Sequence, residues 1–132
     1  MNALYMTTLG DTTITLPQRL DIENYGCGLI EVSGQLEPIN STLSARENFF
    51  LCSDFVQESF IGQIKLSIIR KIKFSRNWEA NTYFKKIIWV KVEREPISRI
   101  NLYITDELGN RVSFKGQGLM CTLLLIPNKS YM

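Results

Sequence analysis

The chemistry open to this chain is limited first by the absence of histidine from all 132 residues. Histidine is the commonest general base and metal ligand, so a serine triad of the usual kind is excluded, and zinc would depend on cysteine and carboxylate. The three cysteines, Cys27, Cys52 and Cys121, lie far apart in apolar runs and form no Cys-x-x-Cys pair. This pattern indicates buried free thiols in a reducing compartment. We therefore expect no metal, no cofactor and no disulfide framework.

Two pairs of carboxylates could in principle serve glycoside hydrolysis, which uses two acidic side chains on either side of the scissile bond. Asp106 is adjacent to Glu107, and Glu93 lies two residues before Glu95. The competing interpretation is structural, because Asp106 and Glu107 open a turn and the other pair flanks a proline. Calcium at Asp106, Glu107 and Asn110 is a further alternative, although the segment lacks the alternate-oxygen spacing of calcium loops. The turn interpretation is the one we adopt.

In the segment 83–91 the aromatic residues Tyr83, Phe84 and Trp89 lie near Lys85 and Lys86, a composition that can bind single-stranded nucleic acid. Against this, the formal net charge is only +2, too small to predict nucleic-acid binding from charge. Aromatic residues in strands are more often packed in the core or across strands. The sequence therefore favours an amphipathic strand over a nucleic-acid interface.

Alternation of apolar and polar residues is the dominant structural signal. The strongest example is residues 64–74, where Ile64, Leu66, Ile68, Ile72 and Phe74 share one parity and lysines occupy the other. Such alternation predicts a half-buried strand. Arg70 interrupts the apolar parity, which predicts a sheet edge or a carboxylate partner for it. About eight strands are predicted in this way, at residues 12–16, 26–36, 48–52, 64–74, 82–92, 100–105, 111–115 and 119–126, with Gly34 as a possible bulge in the second.

The C-terminal stretch, residues 100–126, gives the clearest pattern. A strand with Ile100, Leu102 and Ile104 on one face is followed by a turn at residues 106–110, a short strand, a second turn at 116–118 and an apolar strand. Asp and Gly are favoured in such turns. This order predicts an antiparallel meander. Together the strands predict an all-β, antiparallel two-sheet sandwich, with a jelly roll or small barrel among the possible forms.

Length and hydropathy set the remaining bounds. A chain of 132 residues fits one domain, residues 1–132, and can bury a core without disulfides. The first ten residues lack the features of a signal peptide, and no apolar run reaches the roughly 18 residues of a membrane helix. We expect a soluble protein, made in the cytosol, with no membrane insertion.

Three segments and an opening pair carry a more specific signal. They are residues 51–56 (LCSDFV) with 59–62 (SFIG); 66–72 (LSIIRKI); 100–114 (INLYITDELGNRVSF) continuing through Gly116, Gly118 and 121–125 (CTLLL); and, at the start, 13–17 (TITLP) and 28–32 (GLIEV). In this order they resemble the minor capsid (penton-type) jelly-roll proteins of Polinton/Maverick elements, adintoviruses and related viruses of the virophage–adenovirus lineage.

The resemblance implies a single jelly roll of about eight strands without enzymatic activity or cofactors. It implies a homopentamer that plugs the icosahedral vertices among the major capsid proteins, in a virion assembled from protein made in the host cytoplasm. Large aromatic residues are frequent at the centres of protein interfaces. On that basis the candidate subunit-contact residues are Trp78, which the sequence places in a loop, Tyr83 and Trp89.

Two alternatives from other classes stay open. The first is a β-sandwich module that binds carbohydrate or protein ligands through loop aromatics such as Trp78 and Tyr25. The second is a carboxylate-dependent enzyme, which would require two carboxylates to converge in a pocket.

Overall fold

In the computed structural model, the described parts of the chain are residues 2–20, 25–39, 48–93 and 97–127, and they form strands, turns and irregular segments but no helix. Accordingly, these residues include no helix that is long and apolar enough to cross a membrane. The strands are β1 (Asn2–Thr8), β2 (Asp11–Leu20), β3 (Tyr25–Pro38), β4 (Phe49–Ser53), β5 (Ser59–Ile61), β6 (Ile64–Leu66), β7 (Ile68–Ile72), β8 (Glu79–Tyr83), β9 (Val90–Lys91), β10 (Ile97–Thr105) and β11 (Phe114–Pro127).

The strands form two antiparallel sheets and a small hairpin. In the first sheet the order is β1-β11-β3-β8, and β9 also pairs with β3. In the second sheet the order is β2-β10-β4-β7, and β5 pairs with β6 separately. The expected all-β, two-sheet antiparallel sandwich is confirmed.

The topology follows from one long hairpin folded over on itself. The outermost partners are β1 with β11 and β2 with β10, and the inner ones are β3 with β8 and β4 with β7. Pairing of β11 with β3 and of β10 with β4 then rolls this hairpin into two layers. Eight strands arranged as two Greek keys in two sheets are a jelly roll.

The core lies between the sheets and is built from the side chains that alternate inward along each strand. Leu119, Cys121, Leu123 and Leu125 of β11 are fully buried, as are Ile100, Leu102 and Ile104 of β10. The sequence predicts this parity for β10. For β11 the nearly continuous apolar run predicts burial of both faces instead, and Met120 on the other face is 48% exposed. Burying such apolar area is the main favourable term for folding, at about 25 cal/mol per Å².

An aromatic cluster fills one part of the core, and it contains Trp78. The Trp78 ring lies 5.7 Å from that of Phe49, 5.6 Å from Phe74 and 6.0 Å from Phe114, measured between ring centres. Its side chain is 9% exposed. Trp78 lies in a bend before β8, so its predicted place in a loop is confirmed. The expectation that it is exposed is wrong, because three aromatic side chains from β4, β11 and the segment after β7 enclose it. The backbone accommodates this with a positive φ of 58°.

The C-terminal stretch keeps its first turn but is not a meander. Asp106 Oδ1 accepts hydrogen bonds from the amides of Leu108 and Asn110, both at 2.9 Å, and this closes the predicted turn. Beyond it, however, β10 belongs to the second sheet and β11 to the first, so the two strands do not pair. The predicted turn at residues 116–118 is a β-bulge inside one continuous strand, since the register with β3 shifts between Gly116 and Gly118. The predicted meander is therefore a corner between the two layers.

The predicted strand at 64–74 is divided into β6 and β7 by Ser67, whose carbonyl accepts a hydrogen bond from the amide of Ser53. The register with β4 shifts at Ile69, which is fully buried, whereas Ile68 is only half-buried. The predicted strand at 82–92 is likewise reduced to the end of β8 and to β9. Arg70 lies on β7, at an edge of the second sheet, as expected. Its guanidinium packs 4.0 Å from the Phe84 ring centre.

Gly34 on β3 lies close to the backbone of β11. Its φ is +150°, and a Cβ built on it would lie 2.2 Å from the carbonyl oxygen of Gly118 on β11. Only glycine fits both conditions without displacement of the backbone. The bulge predicted at Gly34 is thus on the neighbouring strand, at Gln117, and the glycine permits the close contact opposite it.

Candidate functional site

Two tyrosines are the most exposed large side chains on the outer surface of the first sheet. Tyr5 on β1 is 72% exposed, and Tyr83 on β8 is 70% exposed. Met120 on β11 faces the same side and is half exposed. The position of Tyr83 agrees with its choice as a candidate contact residue, and its role in a contact stays a prediction. Tyr5 was not selected from the sequence, although Leu4, Met6 and Thr8 alternate with Tyr5 and Thr7 in a way that indicates a strand.

Tyr5 and Tyr83 belong to one row of residues that crosses the first sheet. Tyr5 pairs with Thr122, Thr122 pairs with Glu31, and Glu31 pairs with Tyr83. Because paired residues in antiparallel strands point to the same face, all four side chains of this row point away from the core. The two tyrosines thus lie on opposite edges of the sheet, at the same position along the strand direction.

Trp89, the third candidate contact residue, lies against the outer surface of this sheet. A Cβ built on Gly28 would lie 3.0 Å from the Trp89 ring and 2.4 Å from Cγ2 of Ile87. The segment before β9 therefore packs over Gly28 of β3, and Trp89 is half-buried there. Whether it also contacts a partner stays a prediction.

A groove of about 520 Å³ opens between β7 of the second sheet and the β8–β9 side of the first. Its walls are mainly apolar, with Val32, Ile69, Phe84 and Val90 among them. The Arg70 guanidinium lies over the Phe84 ring and donates a hydrogen bond from Nη1 to the Lys86 carbonyl at 2.8 Å. Lys71 and Lys73 also line it, so the opening is a cationic rim around an apolar floor.

A polar network covers part of the outer surface of the second sheet. Nη1 of Arg111 lies 2.8 Å from Oδ2 of Asp11 and 3.1 Å from Oδ1 of Asn101. Asn101 Nδ2 donates to Oδ1 of Asp11 at 2.8 Å. This hydrogen bond and the Arg111 charge hold the pKa of the Asp11 carboxyl below its usual range, against a smaller opposing effect of burial. The network joins residues from β2, β10 and the turn before β11, so no local pattern in the sequence indicates it.

The groups considered for chemistry occupy structural positions. The three thiols are buried, and burial raises the pKa of Cys27, Cys52 and Cys121 to about 12. Asp106 is committed to its turn, and the carboxylate of Glu107 accepts a hydrogen bond from Asn48. Glu95 lies outside the described residues. Within 2–20, 25–39, 48–93 and 97–127 there is no group of three or more acidic or cysteine side chains placed to hold a metal ion.

No protein-family model matches the chain, and no curated protein matches it significantly. The fold and these surfaces are therefore what indicates a function.

Proposed function

We propose that this protein is a non-enzymatic viral structural protein, a minor capsid (penton-like) subunit that self-assembles and plugs the vertices of a capsid. In this proposal its partners are further copies of itself, as a homopentamer, and the major capsid protein, and its place is the virion. The observation that carries the proposal is the pairing of β1–β11, β2–β10, β3–β8 and β4–β7 into a jelly roll, an architecture found in viral capsid domains.

The surfaces of the first sheet support self-assembly. Tyr5, Tyr83 and Met120 expose large apolar area on one face, and aromatic and methionine side chains are enriched at protein interfaces. A ring of identical subunits needs two different surfaces on each copy, so that one copy's first surface meets the next copy's second. The two edges of the first sheet, each marked by an exposed tyrosine, provide such a pair.

The proposal is tested by the mass of the purified protein in solution. Size-exclusion chromatography with light scattering, over a range of concentrations, is expected to show a discrete oligomer, five times the mass of one chain. Electron microscopy should then show rings, and co-expression with a major capsid protein should incorporate them into particles. A protein that is monomeric at every concentration and absent from particles would refute the proposal.

A second candidate function is a ligand-binding module, and the groove between β7 and β8 is the observation that favours it. An apolar floor with a few convergent polar groups is typical of small-ligand sites. Burial of Trp78 removes one loop aromatic on which a carbohydrate site would have depended, so Phe84 and Arg70 would bear the contacts. A glycan and peptide array separates the two functions. Binding that is lost in Phe84→Ala but kept in Tyr83→Ala would support the module.

A further inference from the structure

We infer that copies of this chain join head to tail through the edges of the first sheet, with β1 of one copy pairing with β8 of the next. The partner is a second copy of this chain, and the contact is a continuation of the backbone ladder with the two exposed tyrosines opposite each other. This inference rests on the self-assembly proposed above and names the surfaces that produce it.

Strand direction allows this contact. The first sheet has four strand positions, β1, β11, β3 and β8, and every neighbouring pair is antiparallel. Strand direction therefore alternates, so β1 and β8 run in opposite directions. When a second copy is placed beside the first by rotation about an axis along the strands, its β1 runs antiparallel to the first copy's β8. The ladder continues across the junction without reversing either subunit.

The backbone of β8 has groups available at this edge. The amide of Phe84 donates to the carbonyl of Ile30 at 2.8 Å, which places Tyr83 and Glu31 at a non-hydrogen-bonded position of the ladder. The amides and carbonyls of Tyr83 and Asn81 therefore point away from β3. No other described strand pairs with β8 on that side.

The same alternation fixes the phase of β1. The amide and carbonyl of Glu31 do not point towards β8, so they point towards Thr122 of β11. The amide and carbonyl of Thr122 point back towards Glu31, and therefore away from β1. Tyr5, the partner of Thr122 on β1, thus points its amide and carbonyl outward, as does Thr7. Both edges consequently present donors and acceptors at the same heights, Tyr5 with Tyr83 and Thr7 with Asn81.

Side chains and charges are compatible with that register. Tyr5 and Tyr83 would form an aromatic cross-strand pair on the outer face, a favourable arrangement in sheets. β1 contains no charged residue and no proline, and Glu79 is the only charged residue of β8. The junction therefore brings no like charges together.

Other sheet edges carry the features that discourage pairing. β2 includes Asp11, Pro17 and Arg19, and β7 includes Arg70 and Lys71. Charged residues and prolines at edges are how sheet proteins avoid association. β1 lacks both, which leaves it as the edge open to another strand.

Disulfide trapping tests the contact directly. In the double variant Tyr5→Cys/Tyr83→Cys, opposing residues of neighbouring copies would have Cα atoms about 5.5 Å apart, within the range of a disulfide. Within one copy the two positions are three strand spacings apart, about 14 Å, so an intrachain bridge is excluded. The three native thiols are buried and do not compete. A matched control is Tyr5→Cys/Leu108→Cys, because Leu108 is 71% exposed but lies in a turn.

After mild oxidation, the Tyr5→Cys/Tyr83→Cys variant is expected to give a ladder of covalent oligomers on non-reducing gels. The control and both single variants are expected to run as monomers on the same gels, because they cannot form the covalent link. Light scattering under reducing conditions shows whether each variant still assembles. Oligomers without covalent links, or a covalent dimer from Tyr5→Cys alone, would overturn the inference while leaving self-assembly intact. A wild-type protein that is monomeric throughout would overturn both.

Discussion

The guanidinium of Arg111 lies 3.8 Å from the centre of the Tyr103 ring. Tyr103 is on β10, and Arg111 follows the turn that leads to β11. This stacking, together with the contacts of Arg111 to Asp11 and Asn101, attaches the corner between the two sheets to the outer surface of the second sheet. Tyr103 is buried although it faces outward, and the arginine helps to cover it.

Arg111→Ala is expected to lower the free energy of unfolding by about 1–2 kcal/mol, because it removes a cation–π contact, a charged hydrogen bond and an ion pair together. Urea denaturation measures this change. Lys115→Ala is the matched control, since Lys115 only reaches Glu37 at 3.8 Å on the exposed surface, and its effect should stay within about 0.5 kcal/mol. Equal effects of the two substitutions would contradict the role given to Arg111.

Asp11 should make the stability of the protein depend on pH in the acid range. Its pKa is lowered in the folded state, first by the Asn101 hydrogen bond and then by Arg111. A lowered folded pKa means that the stabilisation is fully present above the unfolded pKa of about 4 and is lost as the pH falls through the lower folded value.

Asp11→Asn is therefore expected to cost about 0.5–1 kcal/mol at pH 7, and the difference from wild type should vanish well below pH 4. Urea denaturation curves at both pH values measure it. Glu37→Gln, in the more exposed pair with Lys115, is the control and should change stability by less than about 0.5 kcal/mol. A cost of Asp11→Asn that persists at low pH would show that the ion network is not its cause.

Trp78→Ala is expected to destabilise the fold by about 3–5 kcal/mol, because it opens a cavity between the rings of Phe49, Phe74 and Phe114. Thermal or urea unfolding measures the loss. Tyr83→Ala, at an exposed aromatic position, is the matched comparison and should cost less than about 0.5 kcal/mol in the monomer. If the two substitutions had equal effects, Trp78 would have to be a surface residue.

The native thiols should be unreactive in the folded protein. Cys27, Cys52 and Cys121 are buried, and their pKa values are raised to about 12, whereas the thiolate is the form that reacts. Ellman's reagent at pH 8 is expected to titrate no fast-reacting thiol in the native state and three after unfolding in urea. A thiol that reacts rapidly in the native protein would disprove burial at that position, and single Cys→Ser variants would identify it.

Gly34→Ala should destabilise the first sheet by about 2–4 kcal/mol. The added Cβ would meet the Gly118 carbonyl at 2.2 Å, and the φ of +150° is strained for any side chain. Gly62→Ala is the comparison at a site without a close contact, since Gly62 has open space around it and a φ of 58° in the left-handed region. Its cost should be about 1 kcal/mol. Equal costs would mean that the close approach of β3 to β11 is unimportant.

Local alternation in the sequence was enough to predict the buried face of β10. Ile100, Leu102 and Ile104 point inward because every second residue of a strand shares a face. The turn at residues 106–110 was also predictable, since Asp106 satisfies the backbone within the next four residues. These features depend on residues that are close together in the chain, and so a local sequence pattern predicts them.

Sheet membership and the surfaces depend on partners that are distant in sequence. Residues 100–126 suggested a meander, but β10 pairs with β2, 77 to 92 residues earlier in the chain, and β11 pairs with β1, 111 to 123 residues earlier. Trp78 follows polar residues and was assigned to the surface, yet rings from β4 and β11 bury it. The sequence alone thus determined most of the long strands, the inward face of β10 and the buried thiols. Only the tertiary structure decided which strands meet, which aromatic side chains stay exposed, and that Tyr5 and Tyr83 mark opposite edges of one sheet, because long-range pairing sets each of these.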